Sequence, residues 1–242
     1  VLLLGFVLER HAPTLLLPIF AALTACGLLA MSGFRLPEHP DEAADRPAEH
    51  RSIAAVLRSH PRFALTLLGC MFFFLTHTIS NTYMNALVGK AGGTASAVGT
   101  SLAISAVLEL PAMTLVSRLQ KRFSPGFFLR FAAGAEVVKF LIFYLAHSMP
   151  LIYLGQCMQF FQFAVYAPAT VYYVAAALPE RDQLKGQSLI YVAGSGLGGA
   201  LGNLLGGRLL DRSGIQAALL LGTVSAAASL LTFCLSTRED SR

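Results

Sequence analysis

Hydrophobic and polar positions in this chain fall into long blocks. Apolar runs occupy about 13–33, 63–88, 97–117, 126–147, 150–178, 187–207 and 215–235, and residues 1–8 read as the tail of another. A helix needs about 20 predominantly apolar residues to cross the hydrocarbon core. Backbone in lipid must satisfy its own hydrogen bonds, and a helix does so within one segment. The pattern therefore predicts an all-α membrane protein whose successive helices are antiparallel neighbours. One interval differs. Residues 34–62 hold five basic and five acidic residues, with Pro37, Pro40 and Pro47. That composition predicts a solvated linker. Within it, 52–58 predicts a short amphipathic helix on the membrane surface, with Ser52 as its N-cap.

Composition agrees. The chain is 55% hydrophobic and 13% charged over 242 residues, and its mean hydropathy is +0.62. Little remains for a large soluble domain. The basic pI does not indicate nucleic acid, because the charges lie between apolar blocks and form no basic face. Cys26, Cys70, Cys157 and Cys234 sit in apolar segments without paired spacing. They read as small membrane-buried side chains, not as disulfides or metal ligands. No metal cluster, activated nucleophile or phosphate loop is visible, so neither an enzyme nor a cofactor is expected. Gly194-x-Gly196-x-x-Gly199 matches a dinucleotide fingerprint only formally, since no parallel-strand unit surrounds it. The chain begins at Val1 inside an apolar run and shows no signal peptide, which reads as a piece of a longer chain.

Lysine and arginine set the expected orientation. One side of the predicted topology holds Arg35, Arg46, Arg51, Arg58, Arg62, Arg118, Lys121, Arg122, Arg181, Lys185, Arg238 and Arg242. The other holds Arg10, Lys90, Arg208 and Arg212. The first side, with the C-terminus, is expected to be cytoplasmic. Arg130 lies about a turn inside the membrane, near enough to snorkel to that interface.

Two charges do not fit a lipid-facing helix. Glu136 and Lys139 lie mid-span, three residues apart and so on one face. Intramembrane charges usually face a bundle interior or an aqueous cavity. Glu109 precedes Pro111 in the span before. At 1.5 Å per residue, Glu109, Glu136 and Lys139 sit about 12, 15 and 20 Å from the cytoplasmic end. Two carboxylates against one ammonium would leave one carboxyl protonated part of the time, as ion coupling requires. A static pair of Lys139 with one glutamate is the alternative.

Other polar residues recur at helical spacing. His77, Asn81 and Asn85 make one stripe; Gln156, Gln159, Gln162 and Tyr166 make another. Both are expected to line an aqueous cavity, with Asn203 on a third helix; interhelical hydrogen bonding is the alternative. Tyr172 and Tyr173 are placed in the interfacial belt. Gly194, Gly198, Gly202 and Gly206, four apart, predict close approach of a neighbouring helix.

An internal echo adds topology. Gly5-Phe-Val-Leu8-Glu9-Arg10 matches Gly207-Arg-Leu-Leu210-Asp211-Arg212, each between two spans on the same side. Such a parallel repeat relates the halves of a major facilitator. With the linker, Glu109-Leu-Pro111, Glu136-Val-Val-Lys139 and Gly207 to Gly214, the chain resembles the C-terminal half of a major facilitator superfamily transporter. It is similar to the lactose permease-like and phenylpropionic acid permease branch. The resemblance implies four parts: 1–33 ending an N-terminal bundle, 34–62 a cytoplasmic linker, 63–236 a six-helix bundle, and 237–242 a cytoplasmic tail. It implies a bacterial inner-membrane protein that carries a small organic solute, sugar or aromatic acid, with protons. The partners would be lipid and the missing N-terminal half. In that branch a basic residue at the place of Lys139 takes part in proton coupling. The branch also uses a histidine and a glutamate on the next helix, where this chain has Gln159 and Gln162. A proton path would then run through Glu109 or Glu136. The alternative is an uncoupled or non-transporting receptor or scaffold of the same fold.

Overall fold

A computed structural model of the chain describes residues 16–32 and 52–237. Residues 1–8, the first copy of the echo, most of the linker (34–51) and the tail beyond Thr237 lie outside the described residues. Every regular element among the described residues is helical. They are α1 (Leu16–Ser32), α2 (Ile53–Ser59), α3 (Pro61–Thr82), α4 (Met84–Lys90), α5 (Ala95–Leu119), α6 (Pro125–Leu145), α7 (Met149–Cys157), α8 (Phe163–Ala177), α9 (Glu180–Tyr191), α10 (Gly199–Ser213) and α11 (Ile215–Ser236).

Local chemistry explains the helix starts. Ser52 and Ser124 are N-caps whose hydroxyls accept from the backbone N–H of Ala55 and Phe127, both at 3.2 Å. Pro61, Pro125 and Pro150 occupy first-turn positions, where a missing N–H costs no helical bond. Gly214, at φ +77°, turns the chain between α10 and α11, a conformation that side chains with a Cβ rarely adopt.

Among the described residues, five helical stretches are long and apolar enough to cross a membrane: α3, α5, Met149–Ala177, Glu180–Ser213 and α11. Helix α6, at 21 residues, has the same reach but carries Arg130, Glu136 and Lys139. Arg130 Nη1 donates to the Thr237 carbonyl at 3.2 Å, so it holds the end of α11.

Three predicted spans are not continuous. The first ends at Thr82, and Asn85 belongs to the separate α4. The His77–Asn81–Asn85 stripe is therefore cut after Asn81. The second breaks between α7 and α8, where Met158–Phe160 forms a 3-10 turn and Gln162 leaves helical geometry at φ −100°, ψ −92°. Pro168 lies inside α8 and does not break it. The third widens into a π turn at Val192–Gly198, and its helix starts earlier, at Glu180. That segment carries three glycines, whose missing side chains allow the wider turn.

Helix α11 packs on α3 and α6, α3 on the π turn and α10, α6 on α8, and α5 on α7 and α8. Packing makes two apolar cores. One gathers Phe63, Phe73, Phe128, Leu129, Tyr166 and Phe233. The other gathers Ile79, Phe140, Phe143, Ile152, Ala218 and Leu219. Along α6 the first core ends at Ala133 and the second begins at Phe140. Glu136 and Lys139 lie between them.

Tyr173 corrects the interfacial expectation. It is buried in the first core, and its hydroxyl accepts from Thr66 Oγ1 at 2.9 Å. Tyr173→Phe removes that acceptor while keeping the ring. It should cost about 0.6 kcal/mol, the average for an interhelical bond in a bilayer protein. Thermal melting in detergent measures it.

Candidate functional site

The polar layer between the two cores is assembled from four helical stretches. Helix α6 supplies Glu136 and Lys139, 0% and 1% exposed. Helix α5 supplies the half-buried Glu109. The break between α7 and α8 supplies Gln159 and Gln162, and α3 supplies His77. Glu136, Lys139, Gln159 and Gln162 are buried, and Glu109 and His77 half-buried.

Lys139 Nζ donates to Gln159 Oε1 at 2.8 Å, and Gln159 Nε2 donates to Glu109 Oε1 at 2.8 Å. The three form one chain across α6, the helix break and α5. No carboxylate lies within ion-pair distance of Lys139 among the described residues. The direct static pair is thus replaced by an amide bridge. The ammonium also lies 5.6 Å from the Phe143 ring centroid, a cation–π contact.

Glu136 is different. Both carboxyl oxygens are buried without a hydrogen-bond partner. The Oε1 atom of Gln162 is also buried without a partner. A carboxyl in that setting is least costly when neutral or beside a cation.

His77 forms the edge of this layer. Its ring stacks on Phe163 at 4.3 Å and 10° and meets Phe74 edge-on at 5.8 Å. Asn81 Nδ2 lies 3.0 Å from Nε2, and Gln162 Nε2 lies 3.4 Å from Nδ1. Asn81 and Asn85 are exposed.

The remaining candidates lie elsewhere. Gln156 is buried with Nε2 3.8 Å from Met84 Sδ. Tyr166 is buried in the first core, stacked on Phe73 at 4.0 Å. Asn203 is exposed near the far end of α3, where its Oδ1 accepts from Thr82 and its carbonyl from Tyr83 OH at 2.6 Å. The glycines face α3. A Cβ on Gly194 or Gly206 would meet Phe74 or Tyr83, and one on Gly198 or Gly202 would meet the backbone carbonyl of Met71 or Leu75.

Sequence spacing identified both charges and both amides. It did not show that the amides bridge the charges, because that depends on how α5, α6 and α8 meet. One signal was present: Gln159/Gln162 and Glu136/Lys139 share a three-residue spacing, so two turns can face each other. The four cysteines are free, and no group of His, Cys, Asp or Glu among the described residues has metal-site geometry.

Comparison with known proteins gives this geometry a family. The model of the MFS_1 like family matches residues 1–221. A protein named maltose permease, from Geobacillus stearothermophilus, is 27% identical over 220 residues, covering 91% of this chain and 54% of that protein. An uncharacterized transporter of Bacillus subtilis, YwbF, is 22% identical over 218 residues, covering 90% of this chain and 55% of its own length. The chain spans about half the length of these curated relatives. No solved structure matches it significantly. The family and the relatives' names point to a transporter rather than an enzyme. With its membrane-length helices and a family model matched over most of its length, the chain is a multi-pass membrane protein that belongs to the MFS_1 like family.

Proposed function

We propose that this chain forms the C-terminal part of a secondary transporter that carries a small organic solute with protons by alternating access. Residues 63–236 are its six-helix bundle, joined by the linker 34–62 to an N-terminal bundle that ends at 1–33. The C-terminal tail 237–242 faces the cytoplasm of a bacterial inner membrane. One observation carries the reading: Glu136 and Lys139 are fully buried mid-helix, with Glu109 joined to Lys139 through Gln159. Buried intramembrane charges of this kind mark ion and substrate pathways. A scaffold would need the helix packing but not the charges.

Glu109, Glu136 and Lys139 form the coupling centre. The solute approaches from the exposed polar edge, where Asn81, Asn85 and Asn203 offer amides for hydroxyl groups. The likeness to a protein named maltose permease favours a sugar over an aromatic acid. Gln159, Gln162 and His77 stand behind that edge as its connection to the charges. The helix break at Gln159–Gln162 suits this role, since discontinuous helices build transporter sites near the midplane. The glycine stripe gives α10 a smooth track along α3 as the halves rock.

Solute-driven proton uptake by the full-length protein in vesicles tests the reading. Adding sugar without an imposed gradient should alkalinise the outside medium. Solute entry with no proton movement would leave an uncoupled carrier.

A further inference from the structure

Helices α5 and α6 each pack on α7 and α8 but barely on one another. A groove is left between them. Leu115 and Leu119 of α5 form one wall, Phe127 and Phe131 of α6 the other, and Phe160 and Phe161 at the helix break the floor. It holds about 280 Å³. A second hollow of about 520 Å³ shares Phe131 and Phe161 with it and continues along α6 past Gly134 to Val138. No charged or polar side chain lines either hollow. An apolar hollow of this kind stays dry. In a bilayer, hydrocarbon fills it.

Two further observations say which hydrocarbon. The first is length. Phe127, Phe131, Gly134 and Val138 lie along one face of α6. From Phe127 to Val138 that face rises roughly 16 Å. The depth matches one leaflet of a hydrocarbon core about 30 Å thick. Phe123 stacks on Phe127 at 4.9 Å, and Phe127 on Phe131 at 6.1 Å, so the wall is continuous from the loop inward.

The second is charge at the mouth. Arg118 adjoins Leu119, and Lys121 and Arg122 lead into Phe123, which also lines the groove. All three cations are exposed. No acidic residue occurs between Glu109 and Glu136 to balance them. The start of α9 differs, since Glu180 and Asp182 accompany Arg181 and Lys185 there. The N-terminus of α6 opens at the same mouth and adds the positive end of its dipole.

We propose that the groove between α5 and α6 binds one anionic diacyl phospholipid, with an acyl chain along Phe127–Val138 and its phosphate against Arg118, Lys121 and Arg122. A zwitterionic lipid fits the groove equally well but brings its own ammonium to a mouth that is already cationic. The headgroup therefore sets the preference, and the chain sets the place. This site is independent of solute and proton coupling.

Native mass spectrometry of the full-length protein in detergent tests it, with dioleoyl phosphatidylglycerol and dioleoyl phosphatidylcholine as probes. The unmodified protein should retain one phosphatidylglycerol more tightly than any phosphatidylcholine. The combined variant Arg118→Gln, Lys121→Gln and Arg122→Gln should weaken phosphatidylglycerol roughly 100-fold, about fivefold per cation, and leave phosphatidylcholine nearly unchanged. A Cβ at Gly134 meets nothing within 4 Å, so Gly134→Leu enters the groove and not a packed contact. It should weaken both lipids. Glycerol 3-phosphate, which has the anion but no chain, should not compete. Equal affinity of the two lipids for the unmodified protein overturns the proposal. So does a phosphatidylglycerol preference that survives both variants, or full competition by glycerol 3-phosphate. A dimer that Gly134→Leu separates would put a second copy in the groove and also overturns it. Should Gly134→Leu not fold, the combined variant, confined to exposed side chains, decides alone.

Discussion

Lys139→Gln should abolish solute accumulation against a gradient while leaving solute exchange across vesicles measurable. Lys139 is the cation of the polar layer, buried with Glu136 and bridged to Glu109 by Gln159. Removing it leaves both carboxyls without a compensating charge. Breaking a buried ionic arrangement by deleting one partner costs about 3–5 kcal/mol. Without that cation the centre has no opposite charge against which a proton can be exchanged, and it cannot couple. A free-energy loss of about 3 kcal/mol corresponds to roughly 100-fold in the coupled equilibrium. Glu109→Gln should have the same direction, because it removes the acceptor for Gln159 Nε2 and with it the bridge. Accumulation and exchange measured side by side separate loss of coupling from loss of the protein. Full accumulation by both variants would show that the coupling assignment is wrong, while leaving the family membership intact.

Gly202→Leu should remove folded protein from the membrane. A Cβ at Gly202 would lie 2.6 Å from the Leu75 carbonyl oxygen and 3.0 Å from Thr78 Cβ. The Leu75 carbonyl belongs to the α3 backbone and cannot turn aside, so α10 must shift away from α3. Its neighbours Gly198, Gly194 and Gly206 meet α3 at successive turns, so the displacement spreads along the stripe. Overpacking a tight contact costs about 1–3 kcal/mol, and a leucine against a fixed carbonyl belongs at the upper end or above. Gly134→Ala on α6 is the control, because a Cβ there meets nothing within 4 Å. Yield of monodisperse protein in detergent compares the two. Equal yields would mean that the close approach of α10 to α3 is not needed for the fold.

The membrane class, the helix order and the glycine stripe were legible because each depends on local pattern. Twenty apolar residues make a span whatever surrounds them, and glycines four apart leave one helix face bare. The two capping serines were equally local: Ser52 was expected as a cap, and Ser124 before Pro125 has the same signature. The breaks were harder. No glycine or proline marks Met158–Gln162, where the chain leaves the α-helix, while Pro168 lies inside α8. Gln159 there makes two 2.8 Å bonds to residues on α6 and α5, contacts that no local window contains. Tyr173 was misplaced for a similar reason. Its position near a helix end suited the interface, but Thr66 on α3 offered it an interior partner.

By itself, the sequence determined that charges stand mid-span on α6 and that amides recur along the next span, since side-chain spacing along a helix is a property of the chain alone. Only the tertiary structure decided which groups meet: that Lys139 reaches Glu109 through Gln159, that among the described residues no carboxylate pairs directly with Lys139, and that neither Glu136 oxygen finds a hydrogen-bond partner. The physical reason is the reach of a hydrogen bond. A shift of one or two ångströms in how α5, α6 and α8 pack makes or breaks each of these contacts, and no residue's identity records that shift.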